Sequence, residues 1–264
     1  HQRDKLLTHA SRVREFSMLQ KMGVAGIKID FFGGDGQSVM KYYIDILRDA
    51  AKYKLMVNFH GATLPRGWQR TYPNLMTAEA VKGFEYVTFD QKNADEEPAH
   101  CTVLPFTRNA FDPMDFTPMS LDRIPRINRQ TTAAFELALS VIFLSGVQHF
   151  AETPEGMSKM PEAVKNALRE LPTYWDDVKF IEGFPGKYVV LARNRGNRWW
   201  IAGINGENTE REISLDLSTF KARQAQVIKD GEGSNYFTIS TESIPSDGRL
   251  TPKMKPLGGF FITL

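Results

Sequence analysis

The first quarter of the chain alternates helix-like and strand-like hydrophobic patterns. Apolar residues recur at helical spacing over residues 12–22, and a glycine then ends the pattern. The apolar run at 24–32 predicts a strand buried on both faces. Residues 38–54 predict an amphipathic helix with Ser38 as its N-cap, and residues 55–62 predict a second buried strand. Two strands joined through a helix by short connections are typical of a parallel α/β unit.

The middle of the chain is less regular. Residues 63–83 are rich in proline, glycine and aromatic residues, and residues 84–89 predict a short strand. Residues 93–125 are interrupted by prolines and show little periodicity, and connections of this length are more often functional than idle. Regular patterns then return as helix, strand and helix, at 128–146, 147–152 and 160–178. This alternation indicates part of a (β/α)8 barrel.

The hydrophobic period changes near Gly183. Residues 187–217 alternate apolar and polar side chains between Asn/Gly turns, and the last seven residues, GGFFITL, do the same. We therefore predict an α/β fold class: a partial (β/α)8 TIM barrel, formed by its later strands, over residues 1–182, followed by a small antiparallel β domain over residues 183–264.

Composition narrows the classes of function. The 264 residues carry 33 lysines and arginines against 31 aspartates and glutamates, a net charge of +2 from mixed signs, so we expect no nucleic-acid partner and no membrane surface. Cys101 is the single cysteine, which excludes an intrachain disulfide and a multi-cysteine zinc site. No window approaches the roughly 18 apolar residues of a membrane span, and the first residues lack the apolar core of a signal peptide. The abrupt helical start predicts a piece of a longer protein.

Asp30 stands where the apolar run 24–32 meets the glycine-rich turn 33–36. In a (β/α) barrel the active site lies at the carboxyl ends of the strands, so this acid is a candidate catalytic carboxylate. The alternative is that Asp30 is a structural aspartate that caps the turn. Asp35, inside the turn, is expected to be the turn residue itself. The turn lacks both the GxGxxG order of a dinucleotide fold and the lysine of a P-loop, which argues against a nucleotide site.

Glu79 and Glu85 flank a glycine one predicted strand later and would reach the same face of the barrel. The alternative is that both are solvated loop charges, the commoner position of glutamate. Aromatic and hydrogen-bonding residues of the kind that lines sugar pockets lie nearby in the chain: His60, Trp68, Arg70 and Tyr72. Paired carboxylates with such neighbours fit glycoside hydrolysis, in which one acid protonates the leaving oxygen and another attacks the anomeric carbon or activates water.

Three segments, together with the order of barrel and β domain, resemble glycoside hydrolase family 97, the α-glucosidase and α-galactosidase family of Bacteroidetes. They are GIKIDFFGGDGQ, NFHGATLPRGWQRTYPNLMTAEAVKGFEY and FTRNAFDPMDFTPMS. The resemblance implies an amino-terminal β-sandwich, a catalytic (β/α)8 barrel and a small carboxyl-terminal β domain. This chain would be the second half of the barrel and the last domain, and the missing amino-terminal part would be its partner.

The resemblance also implies roles for individual residues. Asp30 would be the nucleophile of a retaining mechanism and Glu85 the general acid/base, with the two carboxyl groups about 5 to 5.5 Å apart. Glu79 and Glu85 would hold a calcium ion. The expected activity is cleavage of terminal α-linked sugars, α-galactosides or α-glucosides, and the expected location is periplasmic or otherwise exported.

Two other interpretations stay open at this point. In the first interpretation the chain is a non-catalytic fragment, because the sequence accounts for about five of the eight strands of a barrel. In the second it is a sugar-binding module in which Trp199 or Trp200 presents a stacking face. Adjacent residues of a strand point to opposite faces, so at most one of the two indoles is exposed on a given side.

Overall fold

The computed structural model describes residues 5–232 and 236–264. These residues divide into two units. The first contains residues 5–83, Phe111–Phe116 and Leu144–Gln148. The second contains Phe84–Ala110, Thr117–Phe143 and the described part of His149–Leu264. Because this division follows packing and not chain order, the division at 182/183 stays a prediction.

The first unit is built on a parallel sheet. Its elements alternate along the chain: α1 His9–Lys21, β1 Gly26–Ile29, α2 Gln37–Lys52, β2 Met56–Phe59 and β3 Leu75–Ala78. The strands lie in the order β1-β2-β3, and all neighbours are parallel. Lys28 is in register with Asn58, and Asn58 with Thr77. A single parallel bridge from Ala78 to Met114 extends the sheet beyond β3. The predicted parallel α/β unit is confirmed.

Helix α2 covers the sheet with the predicted apolar face. Tyr43, Ile46 and Leu47 have no exposed surface and pack with buried residues of β2 such as Val57 and Phe59. The predicted Ser38 cap is wrong: Gly36 is the N-cap, and no side chain bonds to the first turn. The glycine-rich turn runs directly into the helix at Gln37, so Ser38 already lies inside the first turn.

The predicted strand at 24–32 is shorter and less buried than expected. Only Ile29 of β1 is buried, whereas Lys28 is exposed. The reason is position: β1 lies at the edge of the described sheet, so its outer side has no neighbouring strand among the described residues. A glycine-bounded apolar run does not distinguish an edge strand from a central one.

Two predictions for the middle of the chain are wrong. Residues 84–89 form no strand and contain the short helix α3, Phe84–Val87. The stretch 93–125 contains α4, Gln91–Val103, and α5, Arg108–Phe111. Helix α4 holds Pro98 in its interior, although proline removes one backbone hydrogen bond there. Burial of Ala94 and Cys101 on the same helix shows that packing outweighs this cost.

Of the next three predictions, the two helices form with different bounds and the strand between them does not form. The helix predicted at 128–146 is α6, Ala133–Ile142, and all of its residues are buried. No strand forms at 147–152, where Ala151 donates one backbone hydrogen bond to Pro118 and no ladder develops. The helix predicted at 160–178 forms over a shorter range as α8, Glu162–Arg169, with Pro161 at its N-cap. A separate short helix, α7, covers Pro154–Lys159 before it.

The second unit is built on a six-stranded antiparallel sheet. Its strands are β4 Asp177–Phe184, β5 Tyr188–Arg195, β6 Arg198–Asn205, β9 Gln224–Asp230, β10 Phe237–Ser243 and β13 Gly259–Thr263. They lie in the order β10-β9-β13-β6-β5-β4. Two small pairs join β8 Leu215–Asp216 to β11 Arg249–Leu250 and β7 Arg211–Glu212 to β12 Lys253–Met254. The predicted antiparallel β structure is confirmed.

Helix α6 packs on β6 and β13, and both of its ends are held by side chains of the second unit. Thr132 caps the amino end by accepting a hydrogen bond from the Phe135 N–H. Arg193 donates to the carbonyls of Val141 and Ile142 at the carboxyl end, where a positive charge is favourable. Burial lowers the pKa of Arg193 to about 10. Over residues 5–232 and 236–264, no helix combines the length and the apolarity that crossing a bilayer requires.

Candidate functional site

Three of the predicted site residues stand at the carboxyl ends of neighbouring parallel strands. Asp30 directly follows β1, His60 directly follows β2 and Glu79 directly follows β3. Asp115 directly follows Met114, the residue that bridges to the end of β3. Because parallel strands end at the same edge of their sheet, these four side chains share one edge.

His60 connects two of these acids. Its Nδ1 lies 2.8 Å from Asp115 Oδ2, a hydrogen bond in which the ring N–H donates to the carboxylate. Its Nε2 lies 3.5 Å from Glu79 Oε1. The imidazole therefore sits between two carboxylates, with one ring nitrogen directed at each.

Asp115 is the most buried member of the group, with 1% of its side chain exposed. Burial alone would raise its pKa. Hydrogen bonds from His60 and from the Lys28 ammonium, 2.8 Å from Oδ2, outweigh burial and hold the pKa of Asp115 well below its usual range. Asp115 is thus an ionised acceptor for two donors.

Glu79 has the opposite tendency. Burial raises its pKa, and the electrostatic attraction of His60 and the hydrogen bond from the Gly61 N–H, 2.5 Å from Oε2, offset this only in part. The carboxylates of Asp115 and Asp30 add to the rise. Two neighbouring acids with pKa values displaced in opposite directions are a frequent feature of catalytic sites.

The Asp30 carboxylate is confined by backbone on both sides. Phe31 donates its N–H to Asp30 Oδ1 at 2.5 Å and has a φ of +71°, which is unusual for a non-glycine residue. Gly61 has a φ of +52°, and a Cβ built there would lie 2.6 Å from Asp30 Oδ1. The bond to Phe31 also fits the alternative of a turn-capping aspartate. Within the turn 33–36 the positive φ belongs to Gly34, and Asp35 has no positive φ.

The other three residues of the predicted sugar-binding set lie in the connection between β2 and β3, and two of them, Trp68 and Tyr72, contact α2. Trp68 begins a short 3-10 helix and packs on Tyr43, with ring centroids 5.2 Å apart. Arg70 ends this helix and is exposed. The Tyr72 hydroxyl accepts a hydrogen bond of 3.2 Å from Arg48 of α2.

Trp68 also lines a shallow depression of about 800 Å³. Gln37, Lys41 and Arg66 contribute polar groups to its wall. Within the predicted set, His60 therefore lies at a strand end, whereas Trp68 and Tyr72 contact the helix.

Glu85 belongs to the second unit. It is an exposed residue of α3 and not a strand-end residue, because the segment 84–87 turns into a helix after Gly83. Its carbonyl accepts the N–H of Thr88 at 3.0 Å. Its role as the partner acid of Asp30 stays a prediction.

The two tryptophans of β6 are occupied within the second unit. Trp200 is 2% exposed and packs edge-on against Trp175. Trp199 packs edge-on against Phe220, and the Lys179 ammonium lies over its ring at 4.8 Å from the centroid. Trp200 is thus too buried to present a stacking face, and Trp199 is engaged by one aromatic and one cationic side chain of the same unit.

Sequence reasoning missed Asp115 and Lys28. Asp115 lies in a proline-rich stretch whose link to the sheet is one bridge, too short to leave a period in the sequence. Lys28 is a polar residue inside an apolar run, and that exception was the available signal.

A parallel sheet with acids and a histidine at its carboxyl edge defines an α/β protein whose candidate site lies at the strand ends. Comparison with known families identifies which one. The model of glycoside hydrolase 97 matches residues 3–81, and the model described as glycosyl-hydrolase 97 C-terminal, oligomerisation matches residues 174–264. The chain belongs to glycoside hydrolase family 97.

Two relatives extend this comparison. A probable retaining α-galactosidase of Streptomyces bingchenggensis is 42% identical over 220 residues, which are 83% of this chain and 33% of the relative. The retaining α-galactosidase of Bacteroides thetaiotaomicron is 32% identical over 259 residues, 92% of this chain and 39% of its own length. This chain thus spans about a third to two fifths of the relatives that it matches.

Two solved structures share its fold. A β-arabinopyranosidase superposes with a TM-score of 0.92 at 38% identity and covers 97% of this chain, which spans 42% of it. The second is a variant of a family 97 enzyme from Pseudoalteromonas sp. strain K8 in complex with panose. It superposes with a TM-score of 0.83 at 26% identity, and the match covers 96% of this chain and 44% of the enzyme's chain.

Proposed function

We propose that this chain is the carboxyl-terminal part of a retaining α-glycosidase that removes terminal α-linked galactose. The observation that carries the proposal is Asp30, an acid confined at the carboxyl end of β1 beside the His60–Glu79 pair. The names of both α-galactosidase relatives support the retaining mechanism and the galactoside.

In the proposed mechanism Asp30 attacks the anomeric carbon, and the bond from that carbon to the leaving oxygen breaks as Glu85 protonates this oxygen. Glu85 then takes a proton from water, which attacks the glycosyl ester and releases Asp30. His60, Trp68, Arg70 and Tyr72 are proposed to bind the substrate; of these, His60 contacts both Asp115 and Glu79.

We also propose that the parallel sheet is part of a (β/α)8 barrel. Three features support this: the parallel order, the helix between β1 and β2, and the outer edge of β1, which has no strand beside it among the described residues. A depression of about 220 Å³ follows this edge between α1 and β1. The missing amino-terminal part would supply the preceding strands. Co-purification of this chain with a separately expressed amino-terminal part tests the proposal, and two parts that do not associate contradict it.

Calcium is proposed to bind at Glu79 and Glu85. Calcium takes six to eight oxygen ligands. Glu79 fits as one, since its buried carboxylate has a single backbone donor, from Gly61. Asp115 fits poorly because Lys28 and His60 already occupy its Oδ2. The missing part would therefore complete the shell.

When bound, calcium would supply positive charge that favours ionised carboxylates nearby. EDTA should lower the melting temperature of the full-length enzyme, calcium should restore it, and Glu79→Gln should abolish the response.

The full-length enzyme is proposed to be exported, an expectation taken from the family. Fractionation of cells that express it tests this, and recovery in the cytoplasmic fraction contradicts it.

The activity is tested with the full-length enzyme on p-nitrophenyl α-galactoside, α-glucoside and β-L-arabinopyranoside. The third substrate is included because a β-L-arabinopyranosyl ring has the hydroxyl arrangement of α-galactose without the C6 group. Asp30→Gly should abolish turnover, and azide should restore it with β-galactosyl azide as the product. Asp35→Gly in the same turn is the matched control and should stay active. An active Asp30→Gly enzyme would return Asp30 to a turn-capping role.

A second candidate is α-glucoside hydrolysis, favoured by the structural neighbour in complex with panose. The ratio of the rates on the first two substrates decides between them. This chain alone, measured beside the full-length enzyme, tests whether it is a non-catalytic fragment.

A further inference from the structure

Asp115 is fixed in place by its backbone. Its N–H donates to the carbonyl of Ala78 at 3.0 Å, and the preceding Met114 N–H donates to Leu144 at the same distance. The side chain therefore starts from a rigid point beside the end of β3.

From this point one carboxylate oxygen holds two groups that come from two other strands. Asp115 Oδ2 lies 2.8 Å from Lys28 Nζ of β1 and 2.8 Å from His60 Nδ1, directly after β2. Their side chains are 36% and 12% exposed, so both donors reach from the buried carboxylate toward the surface of the sheet edge.

A bond to Nδ1 fixes both the orientation and the tautomer of an imidazole. With Nδ1–H given to Asp115, the ring of His60 cannot rotate without losing a charge-assisted hydrogen bond. Its other nitrogen, Nε2, is thereby kept on the side of Glu79, at 3.5 Å.

We infer that Asp115 is a positioning residue of the active site, which holds the His60 ring in the orientation needed for turnover. This inference rests on the proposed function and adds a residue that acts through another. Asp115 touches neither substrate nor the reacting atoms in this role.

The first unit contains a close structural match for comparison. Asp49 of α2 is also a buried aspartate, 4% exposed, that accepts bonds from a histidine and a cation: His9 Nδ1 at 2.9 Å and Arg12 Nε at 2.8 Å. These partners lie on α1 and not at the strand ends. Asp49→Asn therefore removes the same kind of structural interaction without touching the proposed site.

The experiment compares four variants of the full-length enzyme by kcat/KM on p-nitrophenyl α-galactoside and by melting temperature: Asp115→Asn, His60→Gln, the double variant and Asp49→Asn. Loss of the group that orients a metal-binding histidine costs about 10- to 100-fold, and we expect a loss in the same range for Asp115→Asn. In the His60→Gln background, the fold-loss of kcat/KM caused by Asp115→Asn should be at least five times smaller than in the wild-type background, because the imidazole through which Asp115 acts is gone. Asp49→Asn should lower the melting temperature and leave kcat/KM within about twofold.

Three results would overturn the inference while the proposed function stands. The first is a kcat/KM of Asp115→Asn within about twofold of the wild-type value. The second is a double variant whose fold-loss in kcat/KM equals the product of the two single losses. The third is a loss of kcat/KM in Asp49→Asn as large as that in Asp115→Asn. If Asp115→Asn does not fold, Asp115→Glu, which keeps the charge and moves the carboxylate by one methylene, is measured in its place with the same expectation. A folded wild-type enzyme inactive on all three glycosides would overturn the proposed function and this inference with it.

Discussion

Addition of one methyl group at Gly61 should displace the proposed nucleophile. Gly61 lies between two predicted site residues: its N–H holds Glu79, and its Cα faces the carboxylate of Asp30. A Cβ at this position would lie 2.6 Å from Asp30 Oδ1 and 3.0 Å from the Phe31 nitrogen. Neither neighbour is the far end of a long side chain, so the contact cannot be relieved without moving the strand end or the carboxylate.

The geometry gives the size of the effect. Ordinary contact begins at 3.4 Å, so the carboxylate must move by about 0.8 Å. A misplacement of 1 Å in a catalytic group can cost about 100-fold in rate, so we expect Gly61→Ala to lower kcat roughly 10- to 100-fold. The φ of +52° adds roughly 1 to 2 kcal/mol of strain for any residue with a Cβ.

Gly34→Ala separates strain from displacement. Gly34 lies in the turn after Asp30 with a φ of +79°, and a Cβ there meets no atom within 4 Å. It carries the same backbone cost without the contact. Both variants are made in the full-length enzyme and compared by kcat on p-nitrophenyl α-galactoside and by melting temperature. Both variants should have a lower melting temperature than the wild type, but only Gly61→Ala should lower kcat by more than about fivefold.

The reasoning would be refuted if Gly61→Ala kept its activity, or if both variants lost it equally. The first result would mean that the position of the Asp30 carboxylate does not limit turnover. The second would mean that backbone strain, and not the methyl contact, is responsible.

Two further predictions concern stability in the second unit. Burial, followed by the negative charge of Glu136, raises the pKa of Glu97 well above its ordinary value, so the folded state binds this proton more tightly than the unfolded state. The contribution of Glu97 to stability therefore falls as the pH rises above its unfolded pKa of about 4.5. Glu97→Gln should stabilise the protein by about 1 to 3 kcal/mol at pH 8 and by much less at pH 5, as measured by thermal denaturation. The neighbouring, exposed Glu96→Gln should change little, and equal effects of the two would contradict the argument. Thr132→Ala removes the cap of α6 and a 2.5 Å bond to Asp230 and should cost about 1 to 2 kcal/mol in urea unfolding, whereas a cost near zero would show that water replaces both bonds.

Local pattern predicted the elements whose environment repeats along the chain. Helix α2 and the antiparallel strands were found because each buries one face, and burial of one face leaves a period of 3.6 or 2 in the sequence. The position of Asp30 was found in the same way, since the end of an apolar run marks the end of a strand. Elements decided by packing were missed: α4 keeps Pro98 in its interior, and the segment 84–87 turns into a helix.

The sequence by itself determined that Asp30 stands at the end of a parallel strand, because both the strand and the residue after it are local features. It did not reveal β3, so the position of Glu79 at the next strand end came from the structure. Only the tertiary structure decided which groups meet there. His60 and Asp115 are 55 residues apart, and their bond depends on a one-residue bridge that leaves no period. Trp68 and Tyr72 lie close to His60 in the chain but pack against α2, since side chains beyond a strand end follow the path of the loop and not the edge of the sheet. Hydrophobic periodicity records burial, whereas the pairing of charges across strands depends on distances that the chain order does not contain.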